Sequence, residues 1–216
     1  MKAFSVQADA WGVGTKTLHW TMAALIISIT VIGIYAARVL TYANVAVRPV
    51  WAWWMYQHKA LGFIVLVLVV IRAIWNVSQP RPALPAGTSR LHRLIVHVSV
   101  GSLYFLMFVV PIAGIGTAFY AHSLNKFFGL FEFYGPVARN VPTMAKFKLA
   151  HQITAYTMLG ILVIHVSAAL IHHFILKDYV LRRMLFTRRA DRIGRSYAPL
   201  MRPDRAPRNR PGSGDG

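Results

Sequence analysis

The stretch Leu149–Leu176, LAHQITAYTMLGILVIHVSAALIHHFIL, limits what this chain can become more than any other. It contains no Asp, Glu, Lys or Arg, and it exceeds the roughly 20 residues that a membrane-spanning helix needs. Three further segments have the same character, from about Thr17 to Leu40, Trp54 to Trp75 and Leu91 to Phe119. Backbone in lipid must satisfy its own hydrogen bonds, so four such segments predict an all-α membrane protein, a four-transmembrane-helix bundle. Composition agrees: 56% of residues are hydrophobic, 14% are charged, and the mean hydropathy is +0.48. Residues 1–16 are then a short N-terminal segment, 17–186 the transmembrane domain and 187–216 a basic tail rich in Pro and Gly, of disordered composition.

Connections follow from helix breakers. Gln79–Ser89 carries three prolines and a glycine and reads as a loop. Ala121–Lys146 mixes Phe127, Phe128, Phe131, Phe133 and Tyr134 with Gly129, Gly135, Pro136 and Pro142. It reads as a loop in the membrane interface with a short amphipathic helix. Pro111, with Gly114 and Gly116, predicts a kink in the third helix.

Net charge is +18, which would ordinarily suggest nucleic acid. Here the cations sit at the ends of apolar segments and in the tail, so membrane topology accounts for them and no nucleic-acid partner is expected. Placing both termini on one side puts Lys2, Lys16, Arg72, Arg81, Arg90, Arg93, Lys177 and the ten arginines from Arg182 onward together. The other side keeps only Arg38, Arg48, Lys59, Lys126, Arg139, Lys146 and Lys148. The positive-inside rule then predicts a multi-pass protein of the bacterial inner (plasma) membrane with cytoplasmic termini. Trp51, Trp53, Trp54 and Tyr56 fall at the outer edge as an aromatic belt. The N-terminus lacks a signal peptide's layout, so the first span is expected to serve as the targeting signal.

Chemistry enters through histidine. His151 and His165 are fourteen residues apart; at about 100° and 1.5 Å each, they share a helix face and stand about 21 Å apart along it. That spacing suggests two stacked cofactor sites across the membrane. His58, near the outer start of the second segment, matches His151 in depth. His19, near the inner end of the first, needs an inner partner, for which His165, His172 and His97 compete; depth slightly favours His172 or His97. The absence of cysteine excludes disulfides, iron–sulfur clusters, thiolate-ligated haem and c-type attachment. The spans also lack Asp and Glu, which zinc or copper sites usually add to imidazole. Two facing imidazoles and an apolar slot suit bis-histidine haem b. Gly33, Gly62, Gly101 and Gly160 are candidates for giving the macrocycle room. The rival of another class is a haem-free transporter using histidines as a proton relay.

These residues resemble the bacterial cytochrome b561 family. The likeness rests on TKTLHW in the first segment, QHKALG in the second, and LAHQITAYTMLGILVIHVSAALIHHFILKDYVLRRM in the last. It implies two b haems in a four-helix bundle, with His19 and His165 as one ligand pair and His58 and His151 as the other. It further implies single-electron transfer between an outer-side donor and quinone. The family's best-understood member oxidises superoxide and reduces ubiquinone. Lys59, with Arg48, Lys146 and Lys148 nearby, would make the outer mouth positive, drawing a small anion or pairing with haem propionates. Arg72 and Arg93 would meet the inner propionates. Expected partners are membrane lipid, quinone, and a small anionic donor or a redox partner protein. A second redox reading is the cytochrome b membrane anchor of a hydrogenase- or dehydrogenase-like complex.

Overall fold

Four long helices carry the apolar segments in the computed structural model, which describes residues 11–40, 44–79, 89–177 and 180–185. Helix α1 spans Val13–Tyr35 and continues as a π-helical turn over Ala36–Leu40; α2 spans Arg48–Ser78, α3 Arg90–Tyr120 and α4 Val141–Phe174. All four are long and apolar enough to cross a membrane. The proline-rich connection through residues 80–88 and the basic tail lie outside the described residues.

Helix ends differ from the sequence expectation for identifiable reasons. Helix α1 begins at Val13, ahead of Thr17, so Lys16 lies inside the helix. Helix α4 begins at Val141, well before Leu149, because Asn140 accepts a hydrogen bond from the Thr143 amide at 3.0 Å and Pro142 sits in the first turn. Proline at that position lacks only an N–H that the helix would not use, so it starts a helix rather than breaking one. Helix α3 runs unbroken through Pro111.

The α3–α4 connection is an antiparallel hairpin, β1 (Leu124–Phe127) with β2 (Phe131–Tyr134), not the short amphipathic helix expected. Phe131 and Phe133 of β2, with Phe127 of β1 paired opposite Phe131, suit a pleated ribbon. The reversal uses Phe128 and Gly129, with φ of 50° and 77°, the paired left-handed residues of a tight hairpin turn. The Lys59 ammonium of α2 donates to Ser123 Oγ and to the Leu124 carbonyl, both at 3.0 Å, and so ties the hairpin's root to the bundle.

Helix α1 packs along α2, α2 along α3, and α3 most extensively along α4. The core is a mid-bundle cluster of Met22 and Ile26, Val65 and Val69, Leu106 and Met107, and Met158. Elsewhere large apolar side chains face outward, among them Ile27, Phe63, Phe105, Ile112 and Ile164. With lipid as the solvent, close packing and hydrogen bonds between helices take over the work that water exclusion does in a soluble core. The belt residues Trp53 and Trp54 stack edge-on at 4.7 Å, and Trp54 also meets Tyr35 of α1.

Candidate histidine sites in the bundle

Four histidines face inward as two pairs. At the hairpin end, the His58 and His151 rings lie 6.0 Å apart, centre to centre. Towards the termini, the His19 and His165 rings lie 6.5 Å apart. The other two candidates turn elsewhere: His97 is exposed and its Nδ1 donates to its own helix at the Arg93 carbonyl, while His172 stands beside His92, ring centres 5.4 Å apart. The depth preference for His172 or His97 fails because it assumed too late a start for α1. From Val13, His19 lies about 9 Å into its helix by rise, deeper than the last turn of α4 that holds His172.

The hairpin-end pair is oriented by one device used twice. His58 Nδ1 contacts the Ile29 carbonyl of α1 at 3.1 Å, and His151 Nδ1 contacts the Val110 carbonyl of α3 at 2.8 Å. A carbonyl only accepts, so Nδ1 carries the proton in both rings and Nε2 keeps its lone pair. Four residues after each carbonyl stands a glycine that makes room for the ring. A Cβ on Gly33 would come within 2.9 Å of His58 Cε1, and one on Gly114 within 3.1 Å of His151 Nδ1. Gly33 thus houses an imidazole, and Gly114, expected only to loosen α3, does the same. Gly62 faces the Ile29 side chain, whereas Gly101 and Gly160 face open space. Donation from Nδ1 to a carbonyl is how proteins fix the tautomer and aim of a metal-binding histidine.

A cavity of about 980 Å³ surrounds this pair, lined by both histidines, by Gly33 and Gly114, and by Phe127, Phe131 and Phe133 of the hairpin. Lys59, Lys126 and Lys148 reach its wall. Glu132 pairs with Lys126 at 2.6 Å across the two strands. This hydrogen bond raises the Lys126 ammonium above its ordinary range. Arg38 of the π turn donates to Tyr156 OH at 3.1 Å, linking the turn after α1 to the middle of α4.

The second pair has a different neighbour. Arg72 Nη2 donates to His19 Nδ1 at 2.8 Å, its Nη1 faces Met22 Sδ, and the guanidinium lies 5.6 Å from the Tyr104 ring centre. Arg72 Nε is buried with no hydrogen-bond partner. Asn76, one turn further along α2, donates to Tyr104 OH.

Both pairs have the separation for a metal held between imidazoles: two bonds of about 2 Å, plus about 1 Å from each nitrogen to its ring centre, give about 6 Å. No group of three or more His, Asp or Glu side chains gathers among the described residues, so this spacing suits a centre whose remaining ligands come from a macrocycle. Sequence reasoning missed Gly114 and the Ile29 and Val110 carbonyls, because nothing in a one-dimensional pattern says which ring faces which backbone.

Comparison with known proteins gives the family. The family model described as prokaryotic cytochrome b561 matches residues 10–187. The chain is 27% identical over 188 residues to cytochrome b561 homolog 2 of Escherichia coli (strain K12), covering 85% of this chain and 95% of that protein. It is 28% identical over 174 residues to the probable superoxide oxidase CybB of Yersinia pestis, covering 78% and 91%. Four spanning helices enclosing paired imidazoles, and a family match over most of the length, make this chain a member of the prokaryotic cytochrome b561 family, membrane proteins that bind b-type haem and carry electrons.

Proposed function

We propose that this protein is a dihaem cytochrome b that passes single electrons from a donor at the periplasmic face to ubiquinone, with both termini in the cytoplasm. The observation that carries the reading is the pair of histidine couples, one above the other, each with ring centres about a bis-imidazole span apart. His58 and His151 would hold the outer haem, and His19 and His165 the inner. Haem, when bound, supplies a reversible one-electron couple at each level. The chain's part is to hold the imidazoles, keep their tautomers and exclude water. Ile29 and Val110 carbonyls perform the first two tasks at the outer level, and the apolar cavity wall performs the third.

Superoxide is the donor that the name of the Yersinia pestis relative suggests for this chain too. Two superoxide anions each give up one electron and leave as dioxygen; one ubiquinone takes both electrons with two protons and leaves as ubiquinol. Lys59 and Lys148 at the cavity wall, where Glu132 offsets Lys126, supply the positive field that draws a small anion and speeds its encounter. Arg72, with an unpartnered Nε beside His19, is suited to an inner haem carboxylate.

The test is a reduced-minus-oxidised spectrum with haem quantitation. Wild-type protein should hold two b haems per chain; His58→Ala or His151→Ala should leave one, and His19→Ala or His165→Ala should leave the other. A colourless protein, or His58→Ala and His151→Ala variants with two haems each, would defeat the proposal. Ubiquinone reduction by superoxide in proteoliposomes then tests the donor and acceptor.

A further inference from the structure

The first and last helices carry the inner imidazoles, His19 on α1 and His165 on α4. These two helices share no long packing seam: α1 lies along α2, and α4 along α3. Helix packing alone therefore does not set how the two rings stand to each other.

A tie between the two helices lies beside the pair. Past α4 the chain makes a 3-10 turn over Arg182–Met184. The Met184 amide donates to the Leu181 carbonyl at 2.9 Å, and the Leu185 amide to the Arg182 carbonyl at 3.2 Å. The turn presents its last carbonyl to α1, where Trp20 Nε1 donates to Met184 O at 2.8 Å. The same indole stands edge-on to His19, with ring centres 5.2 Å apart and planes at 87°. A tryptophan that serves only as an interfacial anchor leaves its N–H to water or headgroups. Trp20 instead gives its N–H to the chain's own backbone, 164 residues away.

His19 also lacks the device that aims the hairpin-end rings. His58 and His151 each set Nδ1 against a carbonyl, whereas His19 sets Nδ1 against Arg72 Nη2, a donor. An imidazole that ligates through Nε2 carries its proton on Nδ1, and two donors cannot hold each other. A ligating His19 thus gives up its bond to Arg72. Its edge-on contact with Trp20 makes no demand on the tautomer and persists.

Building on the dihaem reading, we infer that Trp20, strapped to the Arg182–Met184 turn, is a positioning residue of the inner level that sets the plane of the His19 ring against that of His165. The strap joins the segment after the last span to the inner imidazole through one side chain.

The test uses the full-length holoprotein. EPR of each ferric haem reads the angle between its two ligand planes through the low-spin g values, and redox titration reads each midpoint. Trp20→Leu removes the ring and the N–H; Trp20→Phe removes the N–H and keeps a ring. Both variants should hold two haems and shift the g values and midpoint of the inner haem, Trp20→Leu further, with the outer haem unchanged. Amide exchange at Met184 and Leu185 should quicken in Trp20→Phe. Unshifted inner signals in Trp20→Leu with two haems bound overturn the inference. A shift in Trp20→Leu with none in Trp20→Phe overturns the strap. Equal shifts of both haems overturn the positioning role, because general loosening would then be at work. Should Trp20→Leu fail to accumulate, the inner and outer signals of Trp20→Phe decide in the same way. Wild-type protein holding fewer than two haems would sink the dihaem reading itself, a failure visible before either variant is made.

Discussion

Gly33→Ala puts the orientation of His58 under direct strain. The new Cβ would stand 2.9 Å from His58 Cε1 and 3.2 Å from Nδ1. Carbon atoms prefer about 3.5 Å or more, so the imidazole must retreat by about 0.6 Å. That movement stretches the contact between Nδ1 and the Ile29 carbonyl, already 3.1 Å, and forfeits a hydrogen bond worth about 1 kcal/mol. Losing the outer partner of a metal-binding histidine typically lowers metal affinity about 10–100-fold. A ligand displaced by more than about 0.5 Å is also outside the tolerance of a preorganised site. Gly114→Ala meets His151 at 3.1 and 3.2 Å, needs only about 0.4 Å of relief, and should fall at the mild end of that range. Gly62→Ala meets a single flexible methyl at 3.3 Å, and Gly160→Ala meets nothing within 4 Å. Gly160→Ala should gain about 1 kcal/mol of helix propensity and keep full haem content. The assay is haem per polypeptide by pyridine haemochromogen after washing with a haem-binding competitor. Full retention in Gly33→Ala, or an equal loss in Gly160→Ala, would refute the role given to that close approach.

Three further outcomes are expected. Lys59→Met removes two hydrogen bonds at the hairpin root, worth about 1 kcal/mol each. Amide exchange across residues 123–135 should accelerate, and wild-type exchange there would show that Lys59 is not the tether. His97→Ala and His172→Ala should each keep two haems with unshifted spectra, since neither ring faces His19; loss of the inner haem in either would reopen the choice of ligand. Asn140→Ala removes the cap of α4 and should cost about 1 kcal/mol in thermal unfolding, with the hairpin turn unaffected in exchange.

The four spans were legible because apolar length is a strong signal and lipid leaves a chain few alternatives. The pairing of His58 with His151 was legible from depth alone. The inner partner of His19 was not. A shift of the α1 start from Thr17 to Val13 moves the expected depth by about 6 Å, enough to exchange His172 for His165 as the level neighbour. The hairpin was hidden because Phe127–Tyr134 is short, and aromatic residues suit an interface loop and a strand equally. Gly114 was hidden behind Pro111, whose effect on a helix is the more familiar explanation for a nearby glycine.

The hairpin-end imidazoles each lean on the helix before them in the chain: His58 of α2 on α1, and His151 of α4 on α3. Each half of the protein can therefore leave the insertion machinery with one ring already aimed, before it has met the other half. What then joins the halves is the packing of α2 along α3, closed towards the termini by Asn76 and Arg72 of α2 on Tyr104 of α3.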